Sequence, residues 1–421
     1  MHYVQGILHI GGVAATELAM RYGTPLYVYD ASVIRRQIRA LTTSFAGLPF
    51  RAFYAMKANS NLSILRLMRE AGFGLDAVSP GEIHLARAAG FGPESIWFTC
   101  SNVSDDDLRA IPDPNIVINV NSMSEIDRCL LLGLKNPIAL RVNPDVGAGH
   151  HADVITAGES VKFGIDTGEI ESARMLVEDA GGKVVGIHAH IGSGVDDPAP
   201  LLASARTLLQ LAPSFANLRF INFGGGIATP YKPGDPRFPI ERYGLELAHL
   251  AAPLLRERGL TAILEPGRYL VAESGVLLTR ATTKRISAGV EWIGVDSGFN
   301  HLVRPSKYSA YHHIVNASRG HEGALRESWD ESLHRDDVVV AGNLCESGDV
   351  FTRVNGDVTT RSLEPVAVGD LIAFCDAGAY GFSMGSHYNA RLLPPEILAD
   401  NGEARVIRER QNFADLLRGM E

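Results

Sequence analysis

The sequence is short of cysteine and of long apolar runs. Its 421 residues include four cysteines, Cys100, Cys129, Cys345 and Cys375, without any Cys-x-x-Cys pair. This excludes a disulfide framework, and each cysteine is expected to be a small buried residue or a reactive thiol. No run approaches the roughly 18 to 20 apolar residues of a transmembrane helix. The N-terminal segment lacks the basic start and long apolar core of a secretory signal. We therefore expect a cytoplasmic protein without a membrane partner.

The sequence also has fewer basic than acidic residues. The 39 Lys and Arg residues against 48 Asp and Glu residues give a net charge of −9, which repels phosphate backbones and anionic lipids. This argues against nucleic-acid and membrane-surface roles. Only seven of the 39 basic residues are lysines, and Lys57 is the only one before Lys135. Genomic base composition is the simplest explanation, but lysine is also the side chain that condenses with aldehydes.

From residue 50 onward, short apolar runs alternate with amphipathic stretches, several of which end in glycine. This alternation is typical of repeated βα units around a parallel sheet. Eight such units within about 220 residues favour a closed (β/α)8 TIM-type barrel over an open sheet. The predicted strands are 50–56, 73–79, 95–100, 115–120, 137–143, 184–192, 220–226 and 261–267.

After residue 275 the pattern changes to short β-rich runs separated by turn residues. We therefore predict an α/β protein with two domains. The barrel is expected over residues 27–275, and a β-sandwich or barrel-like domain over residues 1–26 and 276–421. The opening segment TPLYVYD (24–30) is expected to pack against the β-rich part.

Active sites of such barrels lie at the C-terminal ends of the strands. An amine, an imidazole, two carboxylates, a glycine turn and two guanidinium groups are expected to meet at this mouth. They belong to Lys57, Asp76, Arg141, His190 with Ser193, Gly224, Gly225 and Gly226, and Glu265 with Arg268.

Three of these features have simpler alternatives. Gly224–Gly226 follows the seventh strand, where barrels bind phosphate, although a structural turn also explains it. His188 and His190 point to the same side of a strand, so they could ligate zinc or stack on a ring, and His188 could be a core histidine. Glu265 could pair with Arg268 at the surface, but the apolar run before it suggests burial, and a buried carboxylate needs a partner.

The β-rich part contributes further polar groups. Cys345 lies in the segment Cys-Glu-Ser-Gly-Asp, a polar setting that favours an exposed thiol able to donate a proton at neutral pH. Arg304 and Tyr308 would suit a carboxylate. Tyr380 lies beside a flexible turn. Taken alone, these three residues are better explained by ordinary interdomain packing.

Taken together, these segments resemble the fold-type III pyridoxal-phosphate-dependent decarboxylases nearly end to end. The resemblance is greatest to members that act on meso-2,6-diaminopimelate. The matching segments are YAMKANSN, DAVSPGEI, RVNPDVGAGH, VKFGI, HAHIGSG, GGGIATPY, EPGRYLVAESG, DSGFNHLVRPSKYSAYHHI, LCESGDVFT and GAYGFSMGSHYNAR.

The resemblance implies a role for each candidate residue. Lys57 matches the Schiff-base lysine, His190 the imidazole stacked on the cofactor ring, and Glu265 the carboxylate paired with the pyridine nitrogen. Cys345 matches a proton donor that relatives supply from the second subunit, which implies a homodimer with shared active sites. The further implied cofactor-binding residues are Ser193, Gly224, Gly225, Gly226, Pro266, Gly267, Arg268 and Tyr380. The implied substrate-binding residues are Arg268, Arg304, Tyr308, Glu346 and Tyr380.

The implied activity is decarboxylation of meso-2,6-diaminopimelate to L-lysine and CO2, the last step of lysine biosynthesis, without a metal. A related decarboxylase of another diamino acid, such as ornithine, lysine, carboxynorspermidine or a siderophore precursor, would share the cofactor residues and differ in the distal pocket. A racemase would be expected to pair the ring nitrogen with Arg. A non-catalytic homologue should have lost Lys57 or Cys345, and both are present.

Overall fold

The computed structural model describes residues 1–99, 101–149, 156–158, 162–321, 323–325 and 336–420. Cys100, and His150 and Val161 of two matching segments, lie outside the described residues. The chain divides into two compact units. We call Gln37–Thr229 with Arg237–Tyr269 the barrel unit, and Met1–Arg36 with Pro230–Pro236 and Leu270–Glu421 the β unit. The domain boundaries expected from the sequence pattern, 27–275 and 1–26 with 276–421, stay a prediction.

Eight parallel strands close the barrel unit into a cylinder, and all eight were predicted from the sequence. Each strand pairs with the next, and the eighth pairs with the first through Ala262 and Phe50. The strands are Phe50–Ala55, Gly74–Ala77, Ile96–Thr99, Val117–Val120, Ile138–Asn143, Val184–His188, Phe220–Asn222 and Thr261–Leu264. A short strand, Ile165–Asp166, extends the pairing beside the fifth strand. Because the strands are parallel, their C-terminal ends open on one mouth.

Helices precede the first strand and connect the others. Some of them start with polar caps, as at Ser79 and Ser122, whose side chains accept the backbone N–H of Glu82 and Glu125. Gly72 and Gly133 follow two helix ends with φ of 77° and 69°, which a glycine adopts without strain. The helices are Ala31–Ser44, Leu62–Glu70, Pro80–Ala88, Asp105–Arg109, Met123–Leu131, Ile170–Asp179, Pro198–Leu211, Ile240–Arg258 and, after the eighth strand, Arg268–Val271.

Stacked aromatic rings fill the interior of the cylinder. The ring centroid of Trp97 lies 4.1 Å from that of Phe53 and 4.3 Å from that of Phe220. Glycines on neighbouring strands make room for these rings, since a Cβ atom at Gly74 would lie 2.4 Å from the Phe53 ring and one at Gly186 would lie 2.0 Å from the Phe220 ring. The barrel is therefore a packed core and its chemistry is confined to the mouth.

The β unit is built around the long strand Gly275–Ser287. Leu26–Asp30 pairs antiparallel with it and parallel with Glu396–Asp400, so the opening segment does return to the β-rich part. The other strands are His2–Val4, Ile7–Ile10, Val13–Ala14, Val290–Val295, Ile314–Asn316, Gly323–Ala324, Asp336–Ala341, Arg353–Val354, Asp357–Val358, Arg361–Leu363, Leu371–Phe374 and Glu403–Arg408. Its other helices are Ala15–Tyr22, Arg304–Tyr308 and Phe413–Leu417.

The apolar core of the β unit lies between its strands. Alternate residues of two paired strands, Leu26 with Val28 and Val276 with Leu278, are fully buried in one cluster. The residues between them, Tyr27 and Leu277, are fully buried as well, so both strands are covered on both faces here. Within the described ranges, no helix is long and apolar enough to cross a membrane. The expected cytoplasmic location stays a prediction.

Candidate active site

Lys57 lies in a tight turn just after the first barrel strand. Met56–Ala58 forms one turn of 3₁₀ helix in which Met56 and Ala58 are buried and Lys57 is exposed. The Ala55 N–H donates to the Pro266 carbonyl at 3.2 Å. A Cβ atom at Gly267 would lie 3.2 Å from Ala55 and Ala58, so glycine allows the two turns to approach closely. The amine is therefore held beside the turn that carries Glu265.

Glu265 is buried and is held from two sides. Its exposed fraction is 6%. Asn222 donates to Oε1 at 2.5 Å, and Nε2 of His188 lies 3.1 Å from Oε2. Burial raises the pKa of this carboxyl, but His188 and Asn222 outweigh it and bring the pKa to about 2. The predicted burial of Glu265 is confirmed, and the carboxylate is negatively charged at neutral pH.

A second buried carboxyl, that of Asp76, lies near the C-terminal end of the second barrel strand, at the same mouth. Thr99 Oγ1 hydrogen-bonds to its Oδ1 at 2.5 Å. Burial and then the Glu265 charge raise the pKa of Asp76 to about 8. Two buried carboxyls in one electrostatic environment therefore differ in protonation, with Asp76 neutral and Glu265 ionised near pH 7.

His190 is half-buried and neutral. The N–H of Gly225 donates to its Nδ1 at 3.3 Å. Burial, and then the charges of Lys57 and Arg141, hold the pKa of His190 well below its usual range. Arg141 is buried and donates to the His190 carbonyl oxygen at 3.4 Å. His190 is therefore fixed by one hydrogen bond to a ring nitrogen and one to its backbone carbonyl oxygen.

The three glycines after the seventh strand pack tightly against their neighbours. A Cβ atom at Gly224, Gly225 or Gly226 would lie 2.3, 2.1 or 2.4 Å from the carbonyl oxygen of Ala189, Glu265 or Gly192. Gly224 and Gly226 also have φ of 71° and 93°. Glycine is thus required here by packing and by conformation, in agreement with the simpler structural interpretation.

Arg268 follows the eighth strand and is held by Ser193. Its Nη2 donates to Ser193 Oγ at 2.8 Å, and its Nε donates to the same oxygen at 3.3 Å. Arg268 is 6% exposed. A hydroxyl and a guanidinium, both hydrogen-bond donors, therefore lie together after the sixth and eighth strands, which flank the strand that carries the glycine turn.

In the β unit, Arg304 is almost fully buried and is fixed from two sides. Its Nη1 lies 2.9 Å from His312 Nε2, and its guanidinium carbon lies 4.7 Å from the centroid of the Tyr231 ring. His312 Nδ1 lies 2.8 Å from the Cys375 carbonyl oxygen. Since Nδ1 must donate to that carbonyl, Nε2 accepts from Arg304 and His312 is neutral.

Cys345 is exposed on a loop that winds around Asp349, as its polar setting predicts. Asp349 accepts the N–H of Leu344 at 2.8 Å and of Phe299 at 2.7 Å, and the Cys345 N–H donates to Asn389 Oδ1 at 2.7 Å. The loop is therefore braced by backbone hydrogen bonds while its thiol faces outward.

The other predicted substrate residues also belong to the β unit. Glu346 is exposed, and its hydrogen bond with Tyr388 raises the pKa of that phenol. Tyr308 ends the helix Arg304–Tyr308. Tyr380 has a φ of 56°, a left-handed conformation that is uncommon for a large side chain and is often found at functional sites.

Comparison with known proteins identifies the family. The family described as "Pyridoxal-dependent decarboxylase, pyridoxal binding domain" matches residues 31–272. A diaminopimelate decarboxylase from Methanothermobacter thermautotrophicus is 44% identical and aligns with 99% of this chain and 96% of its own. The chain belongs to the diaminopimelate decarboxylase family of pyridoxal-dependent decarboxylases.

Two further diaminopimelate decarboxylases support this assignment. The protein from Escherichia coli K12 is 40% identical over 95% of this chain and 94% of its own. The crystal structure of the Helicobacter pylori protein, complexed with L-lysine, has a TM-score of 0.84 at 32% identity and covers 96% of this chain and 98% of its own. The TIM-type barrel with a strand-rich C-terminal part is therefore the fold of this family.

The barrel mouth fits the cofactor after which the family is named. Lys57 offers an amine, Glu265 an ionised carboxylate for a protonated ring nitrogen, and Arg268 with Ser193 donors for a phosphate. Within the described residues, no group of three or more His, Cys, Asp or Glu side chains could hold a metal ion. The donor set thus suits an aldehyde with an anionic group and a basic ring.

Several residues of the site were not assigned a role from the sequence. Asn119 and Asn222 contact His188 and Glu265, and His312 and Tyr231 fix Arg304. A signal for the two asparagines was present, because each is a polar residue near the end of an otherwise apolar strand. His312 and Tyr231 are distant in sequence from the residue that they hold, and no local pattern links them.

Proposed function

We propose that this protein decarboxylates meso-2,6-diaminopimelate to L-lysine and CO2 with pyridoxal phosphate as cofactor. One carboxylate leaves as CO2 and a proton takes its place on the α carbon. The observation that carries the proposal is the meeting of Lys57, half-buried His190 and ionised Glu265 at one barrel mouth.

In this proposal the barrel unit holds the cofactor. Lys57 Nζ would hold the cofactor through its aldehyde group, Glu265 would keep the ring nitrogen protonated, and His190 would pack against the ring. The phosphate would be bound by Ser193, the glycine turn Gly224–Gly226 and the turn from Pro266 to Arg268. The bound cofactor supplies an electron sink conjugated to the substrate α carbon.

The protein's own residues would place the substrate and move the proton. The guanidinium of Arg304 is buried and already held by His312. It would bind the distal carboxylate of diaminopimelate, assisted by Arg268, Tyr308 and Tyr380. Glu346 binds the distal ammonium. A substrate lacking the distal carboxylate would leave Arg304 buried without its ligand, at a cost of about 1 to 3 kcal/mol or more for a charged group.

Cys345 Sγ would donate the proton to the α carbon. We propose that it does so across the interface of a homodimer, because an exposed thiol on a braced loop is suited to reach into a neighbouring subunit.

The proposal is tested by measuring the amine product from three substrates. With added pyridoxal phosphate, meso-diaminopimelate should give L-lysine and CO2 in equal amounts, while lysine and ornithine should react at least about tenfold more slowly. Equal rates with lysine or ornithine would identify a decarboxylase of another diamino acid. Absence of CO2 from all three would contradict the proposal.

A further inference from the structure

Asn222 is a buried asparagine that links the glycine turn to Glu265. It is the last residue of the seventh barrel strand, and none of its surface is exposed. Its Oδ1 accepts the N–H of Gly224 at 2.9 Å, and its Nδ2 donates to Glu265 Oε1 at 2.5 Å. The N–H of Glu265 donates in turn to the Gly224 carbonyl oxygen at 2.7 Å. These three hydrogen bonds form a closed ring through Asn222, Gly224 and Glu265.

The backbone of Gly224 determines the orientation of the Asn222 amide. A backbone N–H can only donate, so the atom that faces it must be the carbonyl oxygen Oδ1. The amide nitrogen Nδ2 then points at Glu265, whose carboxylate oxygen accepts its hydrogen. A rotated amide would lose both hydrogen bonds. Asn222 is therefore a donor to Glu265 whose direction is set by the glycine turn.

The ring joins two chain segments that follow neighbouring strands. Asn222 pairs with Ile263 of the eighth strand, and Glu265 follows two residues later. The turn is also confined on its other side, because the Ala189 N–H donates to the Asn222 carbonyl oxygen at 3.1 Å. A Cβ atom at Gly224 would lie 2.3 Å from the Ala189 carbonyl oxygen, which shows how closely these backbones approach. The glycine turn therefore cannot shift without disturbing the contacts of Glu265.

The two joined segments have different tasks in the proposed function. The glycine turn Gly224–Gly226 contributes to the phosphate site, and Glu265 is the partner of the ring nitrogen. Both groups belong to one rigid cofactor, so both can be bound well only if the two protein segments have the matching spacing. A spacing that is fixed beforehand lowers the cost of binding.

We propose that Asn222 is a positioning residue that fixes the Glu265 carboxylate relative to the glycine turn. It acts on the cofactor through Glu265 and through Gly224, and it holds the acceptor for the ring nitrogen at a set distance from the phosphate site. This inference rests on the proposed function, because it concerns two groups that the proposed function assigns to the same cofactor.

The test compares Asn222→Asp with Asn222→Leu in the full chain. Aspartate has the same shape and still accepts the Gly224 N–H, but an ionised carboxylate cannot donate to Glu265. Leucine makes neither contact. The measurements are made at pH 9, above the pKa of about 8 that burial and then Glu265 give to the carboxyl of Asp76. Each protein is titrated with pyridoxal phosphate and with its 1-deaza analogue, in which a C–H group replaces the ring nitrogen.

The two ligands should respond differently to Asn222→Asp. We expect this variant to bind pyridoxal phosphate at least about tenfold more weakly than the wild type, the loss of one hydrogen bond to a charged group. It should bind the 1-deaza analogue as tightly as the wild type does, because that ligand has no ring nitrogen for Glu265. Asn222→Leu should bind both ligands more weakly, since the turn also loses its contact. Asn222→Asp alone decides the inference if Asn222→Leu does not fold.

Asn316 in the β unit provides a matched control. It also ends a strand and is fully buried, its Oδ1 accepts the N–H of Ser318 at 3.0 Å, and its Nδ2 donates to Asp370 Oδ2 at 3.1 Å. Asn316→Asp should lower the unfolding temperature as Asn222→Asp does, but should leave the affinity for both ligands unaltered.

Three outcomes would contradict one of the two proposals. Unchanged affinity of Asn222→Asp for pyridoxal phosphate, or an equal loss for the two ligands, would overturn the role of Asn222 in positioning Glu265. A similar loss of affinity in Asn316→Asp would do the same, because the effect would then follow from reduced stability. Failure of the wild type to bind pyridoxal phosphate would instead overturn the proposed function.

Discussion

Arg304 Nη1 lies 2.9 Å from His312 Nε2, inside the β unit. The opposite nitrogen of His312 is engaged by the Cys375 carbonyl oxygen at 2.8 Å, so the ring cannot turn without losing that bond. The guanidinium is therefore fixed before a ligand arrives. Binding of a ligand carboxylate then avoids the conformational-entropy cost of ordering a long side chain. This arrangement makes His312 a residue that acts on substrate affinity through Arg304.

We expect two amide substitutions of His312 to differ. In His312→Gln the side-chain oxygen can reach the position of Nε2 and still accept from Arg304, whereas in His312→Asn the shorter amide reaches only the position of Nδ1. The KM for meso-diaminopimelate should rise about tenfold in His312→Asn, the equivalent of one hydrogen bond to a charged group, with little change in kcat. In His312→Gln the KM should stay close to wild type. Equal KM values in the two variants would show that Arg304 does not depend on this contact.

Replacement of the exposed thiol should separate cofactor binding from turnover. Cys345→Ala should bind pyridoxal phosphate normally but lose at least about 100-fold in kcat, the usual contribution of a positioned general acid. Cys129→Ala is the control, because burial raises the pKa of the Cys129 thiol to about 11 and makes it an inert part of a helix. Unchanged turnover in Cys345→Ala would remove this residue from the proton-donor role.

The buried carboxyl of Asp76 should make the stability of the protein depend on pH. Its pKa is raised from 3.8 to about 8 in the folded chain, so folding takes up a proton between these values. The folded state therefore loses stability as pH rises through this range. Asp76→Asn, which stays neutral, should gain at least about 1.4 kcal/mol relative to wild type between about pH 5 and pH 8, the equivalent of one pKa unit.

Denaturant unfolding of the cofactor-free chain at several pH values measures this difference. Asp127, exposed on the helix Met123–Leu131, provides the control, and Asp127→Asn should keep the wild-type pH dependence. A parallel pH dependence of Asp76→Asn and wild type would mean that Asp76 is already ionised in the folded protein.

Close packing around the aromatic stack predicts that Gly186 does not tolerate a larger residue. A Cβ atom at Gly186 would lie 2.0 Å from the Phe220 ring, while one at Gly168 would meet nothing within 4 Å. Gly186→Ala should lower the free energy of unfolding by about 1 to 3 kcal/mol, as overpacked cores do. Gly168→Ala should change it by less than about 0.5 kcal/mol. If both substitutions are neutral in urea unfolding, the barrel interior is looser than its distances indicate.

The barrel could be predicted from the sequence because its signals are local. Each strand is a short apolar run, and glycines such as Gly72 and Gly133 mark the helix ends with a conformation that other residues avoid. The same applies to the strand ends, since Lys57 and Glu265 follow directly on strands whose direction is fixed by the alternation with helices.

The hydrogen-bond partners at the mouth could not be predicted in this way. Glu265 is held by Asn222 from the preceding strand and His188 from the one before that, and this depends on which side chains face inward at matching heights. A one-residue change of register would exchange the inward and outward residues. The protonation of Asp76 is likewise a consequence of burial and of Glu265, which have no signature in the chain.

Hydride trapping on active protein tests the central claim most directly. The protein is incubated with pyridoxal phosphate, assayed for CO2 release from meso-diaminopimelate, reduced with borohydride and digested. The account predicts one cofactor-tagged peptide, containing Lys57, and no tag in an otherwise folded Lys57→Ala variant. A tag on any other lysine, or active protein that carries no tag, would contradict it.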